Sequence, residues 1–407
     1  MDFESISGIL LCALGAVLIL GQLMKRVCSR TGLPASVGFI VLGLVLRSAL
    51  GPLGSTPFVN DVFSALAQLG VVALLFRVGL RSHTSTLLKR LPDASVIWIV
   101  NVLGSFAAGF VAARYGFDWS RETSLVIGVA FSATSIAVSV AIWDELGLAG
   151  SEAGATLLDV AELDDLSAAV FLAVLLGILP VLLNGDSGLW LRVGTSSAIV
   201  LTKLALFVAG CYLFAHFVEA RFTEFNRRLS DTPASLTISI LGVGLVIAAV
   251  ADFLGFSIAI GALFAGLAFS RDPQAVRTDG SFSYFYEFLT PFFFIYIGMQ
   301  TDLAALAGSM DVGMLLFVVA AVSKLVFTYA PALLSMGTRD AMHLGVSMIP
   351  RAEIALVVVY ECRAVDPGIV PPEVFAAMVL VSLGTSIVAP ITLRRLLVSD
   401  GASRARS

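Results

Sequence analysis

The chain has 407 residues, 58% hydrophobic and only 13% charged, with a mean hydropathy of +0.96. A soluble domain carries about 25% charged residues, so composition excludes a water-soluble domain and leaves the lipid bilayer as the solvent. The formal net charge of −4 decides little, because orientation in a membrane follows where Lys and Arg lie.

The opening MDFESISG is acidic and lacks the basic region of a signal peptide, so the first apolar run is expected to remain as a span with its N-terminus outside. A crossing needs ~20 largely apolar residues. On that criterion thirteen spans are predicted, near 5–24, 32–52, 60–80, 93–113, 121–142, 154–182, 195–218, 234–253, 255–270, 282–300, 312–336, 341–361 and 369–393. Sixteen of the 25 basic residues then fall on one side: Lys25, Arg26, Arg30, Arg81, Lys89, Arg90, Arg221, Arg227, Arg228, Arg271, Arg277, Arg339, Arg394, Arg395, Arg404 and Arg406. Five fall on the other: Arg47, Arg114, Arg121, Arg192 and Arg363. The positive-inside rule makes the richer side cytoplasmic, together with the C-terminus and a short tail over 394–407. Cys12, Cys28, Cys211 and Cys362 are far apart, without metal-like or redox-like spacing, and read as packing residues.

Self-comparison reveals two copies of one pattern. GLPASVGFIVLGLVLR (32–47) aligns with GFSIAIGALFAGLAFS (255–270), placing Gly32, Gly38 and Gly43 on Gly255, Gly261 and Gly266. Next in order, LLFRVGLRSHTSTL (74–87) resembles FFFIYIGMQTDLAAL (292–306), with Gly79 on Gly298. The copies begin seven predicted spans apart, an odd offset, so the second crosses in the opposite sense. Inverted repeats, here about 32–182 and 255–393 joined by a linker helix near 195–218, are the architecture of secondary transporters with a midplane site. Close helix packing alone is the competing explanation for the glycines.

The sixth span, ATLLDVAELDDLSAAVFLAVL (155–175), carries Asp159, Glu162, Asp164 and Asp165. A charge at the bilayer centre costs at least ~2.5 kcal/mol, so such residues face a wet cavity or a partner. Asp164 and Asp165 lie nearest the midplane and point about 100° apart around a helix. One is free to bind an ion while the other meets another helix. An interfacial acidic cluster is the alternative, and Asp159 and Glu162 suit a cytoplasmic vestibule or plain solvation. Lys324, halfway along the apolar run 312–334, is too deep to snorkel and requires Asp164 or Asp165 as partner. Lys203 lies near a span end and is assigned no role. The fifth span contains VAFSATSIAVSV (129–140) and its repeat mate VSMIPRAEIALVV (346–358), where Pro350 opens the helix between charged Arg351 and Glu353. Ser132, Thr134, Ser135 and freed carbonyls then satisfy the backbone or coordinate a cation; for the hydroxyl run alone ordinary helix packing is the stronger explanation, and the coordinating one gains weight from the broken, charged repeat mate. Arg351 and Glu353 are expected to neutralise helix ends, or each other.

This order of motifs, GLPASVGFIVLGLVL, LLFRVGL, SATSIAV, ELDD, GFSIAIGALFAGLAFS, FFFIYIGMQTDL, SKLVF and PRAEIALVV, resembles the cation/proton antiporter superfamily over nearly the whole chain. It is most similar to bacterial NapA-type sodium/proton antiporters and potassium-efflux antiporters. The resemblance implies an all-α membrane protein with crossed discontinuous helices, working as a homodimer in the bacterial inner membrane without a cofactor. It implies that Asp165 binds Na+ or H+, that Asp164 pairs with Lys324, and that Thr134 lies near the helix crossing. An adjacent Asp pair with this Lys implies electrogenic exchange of Na+, or of Li+ or K+, for H+. Electroneutral K+/H+ or Na+/H+ exchange is the alternative, with sodium-coupled solute symport behind it. An intramembrane aspartyl protease needs opposed carboxylates on separate helices, whereas these are neighbours on one. Arg77 departs from an apolar family position, and no nucleotide-binding regulatory domain is expected after Arg395.

Overall fold

A computed structural model describes residues 3–50, 56–82, 84–183, 189–229, 233–270 and 279–404. Of the residues predicted to lie inside, Arg271, Arg277 and Arg406, with the side chains of Lys89, Arg90, Arg227 and Arg404, lie outside the described part. Every regular element among the described residues is helical, as a bilayer demands of a chain that must satisfy its own backbone. Helices α1 (Phe3–Thr31), α2 (Ala35–Leu50), α3 (Pro57–Arg81) and α4 (Thr84–Val111) come first. They are followed by α5 (Arg121–Ser132), α6 (Ala137–Glu145), α7 (Glu152–Leu183), α8 (Leu189–Leu213), α9 (Glu219–Leu229) and α10 (Pro233–Phe253). The remainder is α11 (Ile258–Phe269), α12 (Asp279–Gln300), the short α13 (Leu303–Gly308), α14 (Met310–Ala332), α15 (Thr338–Ser347), α16 (Glu353–Val365) and α17 (Pro372–Arg404). Among the described residues nine helical stretches are long and apolar enough to cross a membrane, and α2 and α11 are shorter apolar helices.

Two differences from the sequence expectation concern helix ends. The predicted loop over 81–92 shrinks, because α4 already begins at Thr84. The predicted tail is helical too: α17 runs on to Arg404, with Arg394, Arg395, Leu396 and Leu397 as good helix formers that carry it past the predicted span end and Gly401 only in its last turn.

The chain forms two compact units, one of Met1–Asp61, Arg90–Ala168 and Phe294–Ser407, the other of Val62–Lys89 and Ala169–Phe293. Within the first, α17 packs on α6, α14, α15 and α16, and α5 packs on α16. Gly43 of α2 faces α12 so closely that a Cβ there would overlap the Ile295 carbonyl, and a Cβ on Gly298 would overlap the Ile40 carbonyl. Within the second unit the same happens between α3 and α11: Gly79 meets the Leu263 carbonyl and Gly266 the Phe76 carbonyl. Backbones in such contact gain dispersion energy that lipid cannot supply, which is why small residues sit there. Gly32 (φ 71°) and Gly255 (φ 89°) both take the left-handed conformation, and each is followed by the same helix-ending bond. Leu33 N–H donates to Cys28 O and Phe256 N–H to Ala251 O, both at 2.9 Å, a glycine stop that lets the chain re-enter the membrane.

These contacts carry a stability expectation. Gly43→Val or Gly79→Val costs about 3 kcal/mol or more through overpacking against backbone, whereas Gly210→Val, with open space around its Cβ position, is tolerated. Thermal denaturation of the detergent-purified variants checks this, and equal melting of all three would mean the helix pairs are not tightly packed.

Candidate functional site

The site forms where two helices are interrupted. Helix α5 stops at Ser132 and the chain runs extended at Ala133 (φ −68°, ψ 153°) before α6 begins at Ala137. The sequence SATS favours this break, since Ser and Thr side chains compete with the helix for backbone bonds. Helix α15 likewise stops at Ser347, and Pro350 prevents continuation until α16 starts at Glu353. The two interruptions meet: Ser135 N–H donates to Pro350 O at 2.8 Å.

Four carbonyl groups at the end of each half-helix lack intrahelical partners and carry partial negative charge. Arg351 answers this at α5. Its fully buried guanidinium donates to the carbonyls of Phe131, Ala133 (3.0 Å) and Ala130 (3.4 Å), and to Ala320 O on α14 (3.4 Å). The same group lies 4.7 Å from the Phe131 ring centroid. Arg351 N–H is in turn received by the Thr385 hydroxyl at 3.1 Å. At α15 the Ser139 hydroxyl donates to Ser347 O at 2.8 Å, and Trp143 Nε1 donates to Ser347 Oγ at 2.9 Å. Glu353 stands in the first turn of α16, where the helix dipole favours a carboxylate. Its side chain interacts with Ser135, so the two charges serve separate helix ends and not each other.

Lys324 and Asp164 form an ion pair with Nζ 2.6 Å from Oδ2, and neither side chain has any solvent exposure. The same Oδ2 accepts from Thr134 Oγ1 and from Asn101 Nδ2, both at 2.7 Å. Lys324 also donates to Ser132 O at 2.8 Å, adding a second cation at the carbonyl end of α5. Ser132 thus contributes its carbonyl, whereas its hydroxyl turns back to Val129 O. A buried pair is favourable only when further hydrogen bonds complete it, and three donors converge here on one oxygen.

Asp165 points elsewhere, as a 100° step requires. It is half-buried and feels the charges of Asp164, Glu353, Lys324 and Glu162. Its Oδ1, like Asp164 Oδ1, is buried without a hydrogen-bond partner. Carboxylate oxygens left open in a buried setting suit a proton or a small cation. Asp159 is half-buried six residues earlier on the same helix, and Arg77 stacks 4.1 Å over the Tyr286 ring within the second unit.

Sequence reasoning passed over Asn101, which is fully buried in α4. Neutral polar residues in a span draw no attention by charge. The available signal was spacing: Asn101 lies 223 residues before Lys324, the separation of Gly32 from Gly255.

Comparison with known proteins adds an independent line. The model of the family described as sodium/hydrogen exchanger, transmembrane, matches residues 15–399. The chain is 25% identical over 401 residues to the high-affinity Na(+)/H(+) antiporter NhaS3 of Synechocystis, covering 96% of this chain and 84% of that one. It is 25% identical over 384 residues to a Na(+)/H(+) antiporter of Enterococcus hirae, covering 93% and 95%. The solved structure of the sodium proton antiporter MjNhaP1 from Methanocaldococcus jannaschii superposes with a TM-score of 0.68 at 16% identity, covering 95% of this chain and 96% of that one. That likeness establishes the fold. With a family match spanning nearly the whole chain, the protein belongs to the sodium/hydrogen exchanger family and is a transmembrane cation/proton antiporter, a transporter and not an enzyme.

Proposed function

We propose that the protein exchanges Na+ for H+ electrogenically, with Asp165 as the site for which both ions compete and Lys324 as carrier of a second proton. The observation that carries this reading is the buried Lys324–Asp164 pair beside an Asp165 oxygen that has no hydrogen-bond partner. In the proton-loaded form Asp165 is neutral and Lys324 is an ammonium paired with Asp164. Na+ displaces the Asp165 proton, Asp164 releases Lys324, and Lys324, losing its counter-charge in a dry setting, gives up a proton. Two protons then move one way for each Na+ moving the other, a net transfer of one charge. Each such charge gains ~2.3 kcal/mol per 100 mV, which lets the proton motive force expel sodium. Thr134 and the α5 carbonyls supply neutral oxygens of the kind that coordinate a monovalent cation.

The repeat reading accompanies it. Gly43 meets Gly298 while Gly79 meets Gly266; under the alignment of the two copies these are one contact made twice, which supports two related halves. Ion pairs support the grouping of loops by side: Arg47 with Asp302 at 3.2 Å among the groups assigned outside, and Arg394 with Glu145 among those assigned inside. At the outer pair, two amides of α13 and the Arg47 guanidinium hold the Asp302 carboxyl below the usual range.

The exchange reading is tested by dequenching of a pH probe in inverted vesicles titrated separately with Na+, Li+ and K+. The expected result is a half-maximal response at lower Na+ than K+; no response to any cation would refute exchange. Topology has its own test. In a background lacking Cys12, Cys28, Cys211 and Cys362, single cysteines within 81–92 and 301–311 are expected to label from opposite sides, 81–92 from the cytoplasm. Labelling from one side would end the inverted-repeat reading.

A further inference from the structure

Asn101 and Lys324 occupy matching places around Asp164. Asn101 Nδ2 and Lys324 Nζ reach the same oxygen, Asp164 Oδ2, at 2.7 and 2.6 Å. Their separation of 223 residues recurs in their surroundings. Gly104 faces the Phe327 ring so closely that it has no room for a Cβ. Ser105 and Thr328 each present a hydroxyl to Asn101 Oδ1, at 3.5 and 3.2 Å. Three pairs of residues on α4 and α14 thus stand at one offset, one in direct contact and two converging on a shared atom, and the polar pairs differ chiefly in that one side carries an amide where the other carries an ammonium. The amide is held on both faces, its oxygen by two hydroxyls and its nitrogen by the carboxylate, so its orientation is fixed.

We propose that Asn101 is a positioning residue, the uncharged counterpart of Lys324, that keeps Asp164 in place during the part of the cycle in which Lys324 has let it go. The inference rests on the exchange reading above. In the proton-loaded form Asp164 has Lys324, Thr134 and Asn101 as donors, and losing Asn101 leaves two. In the cation-loaded form Lys324 has withdrawn, and losing Asn101 leaves Thr134 alone. The amide therefore favours the cation-loaded form selectively, and it does so without a proton to give or take. An ammonium at 101 in addition to Lys324 would instead add a buried positive charge beside Lys324, which explains why only one of the two equivalent places is cationic.

The test uses the full chain in proteoliposomes. Asn101→Leu, close in volume but without hydrogen-bonding groups, is expected to raise the KM for Na+ about ten-fold or more, the worth of one hydrogen bond to a charged acceptor, with a smaller effect on kcat. A purely structural role would lower the active fraction at unchanged KM, and that result overturns the proposal. Exchanging the two residues is the second arm. Lys324→Asn alone is expected to lose nearly all exchange, and Asn101→Lys/Lys324→Asn to regain at least ten-fold over it, because the ammonium returns to the same oxygen. A folded double variant no better than Lys324→Asn refutes the equivalence; if the double variant does not fold, the KM of Asn101→Leu decides. Should wild type itself show no Na+-driven exchange, or Asp165→Asn exchange normally, the exchange reading fails and takes this inference with it.

Discussion

Asp165→Asn is expected to abolish cation-dependent proton movement while leaving a folded protein. The substitution keeps the shape of the side chain and removes the one group for which both ions are proposed to compete. Asp165 Oδ1 has no hydrogen-bond partner, so the amide breaks no internal bond at that atom, and a half-buried negative charge in a field that includes Asp164 and Glu353 is relieved. Melting temperature is therefore expected to hold or rise. Transport is expected to fall by at least ~100-fold, the scale on which an uncompensated charge is felt in a buried site. The measurement is pH-probe dequenching in proteoliposomes beside thermal denaturation of the same preparation. Normal exchange by the correctly inserted variant would move the ion site elsewhere, and Asp165→Glu is expected to retain weak activity.

Lys324 separates electrogenic from electroneutral exchange. Lys324→Ala strands Asp164 and costs ~3–5 kcal/mol, and here it also removes the donor to Ser132 O at the end of α5. Loss of activity in that variant alone would be ambiguous. Asp164→Asn/Lys324→Gln removes both charges and preserves the local bonding pattern: a Gln amide can still donate to the Ser132 carbonyl, and the Asn carbonyl can still accept from Thr134 and Asn101. The expected outcome is proton flux without current on a solid-supported membrane, since the proton carried by Lys324 is gone and one proton per Na+ remains. Undiminished sodium-driven current would exclude Lys324 as second carrier and leave the pair as a structural lock.

Much of this protein is written locally, because a bilayer imposes simple terms. A run of ~20 apolar residues must be helical when no water reaches its backbone. Predicted spans therefore overlie helices even where their ends are off by several residues, as at Thr84 and Arg404. Acids and a lysine inside such runs announce a site by their cost alone, and this singled out Asp164, Asp165 and Lys324 before any packing was known. The break at MIPRA was legible from Pro350, whereas SATS lay inside a single predicted span over 121–142 and its hydroxyl run by itself suited ordinary helix packing, so the break there emerged in the structure.

Contacts across the fold were a different matter. That Lys324 pairs with Asp164 Oδ2 and leaves the Asp165 Oδ1 open depends on how α7 is turned about its axis, which its sequence leaves undetermined because both residues cost the membrane about the same. Arg351 reaches residues 218–221 positions away, a destination set by where α5 ends in space and not by Glu353, the nearest charged residue in sequence. Asn101 is the clearest case. A neutral amide costs little in any one helix, so nothing local marks it. Beyond its 223-residue spacing from Lys324, its meaning comes from the tertiary structure, which brings an amide and an ammonium from two helices to one carboxylate oxygen.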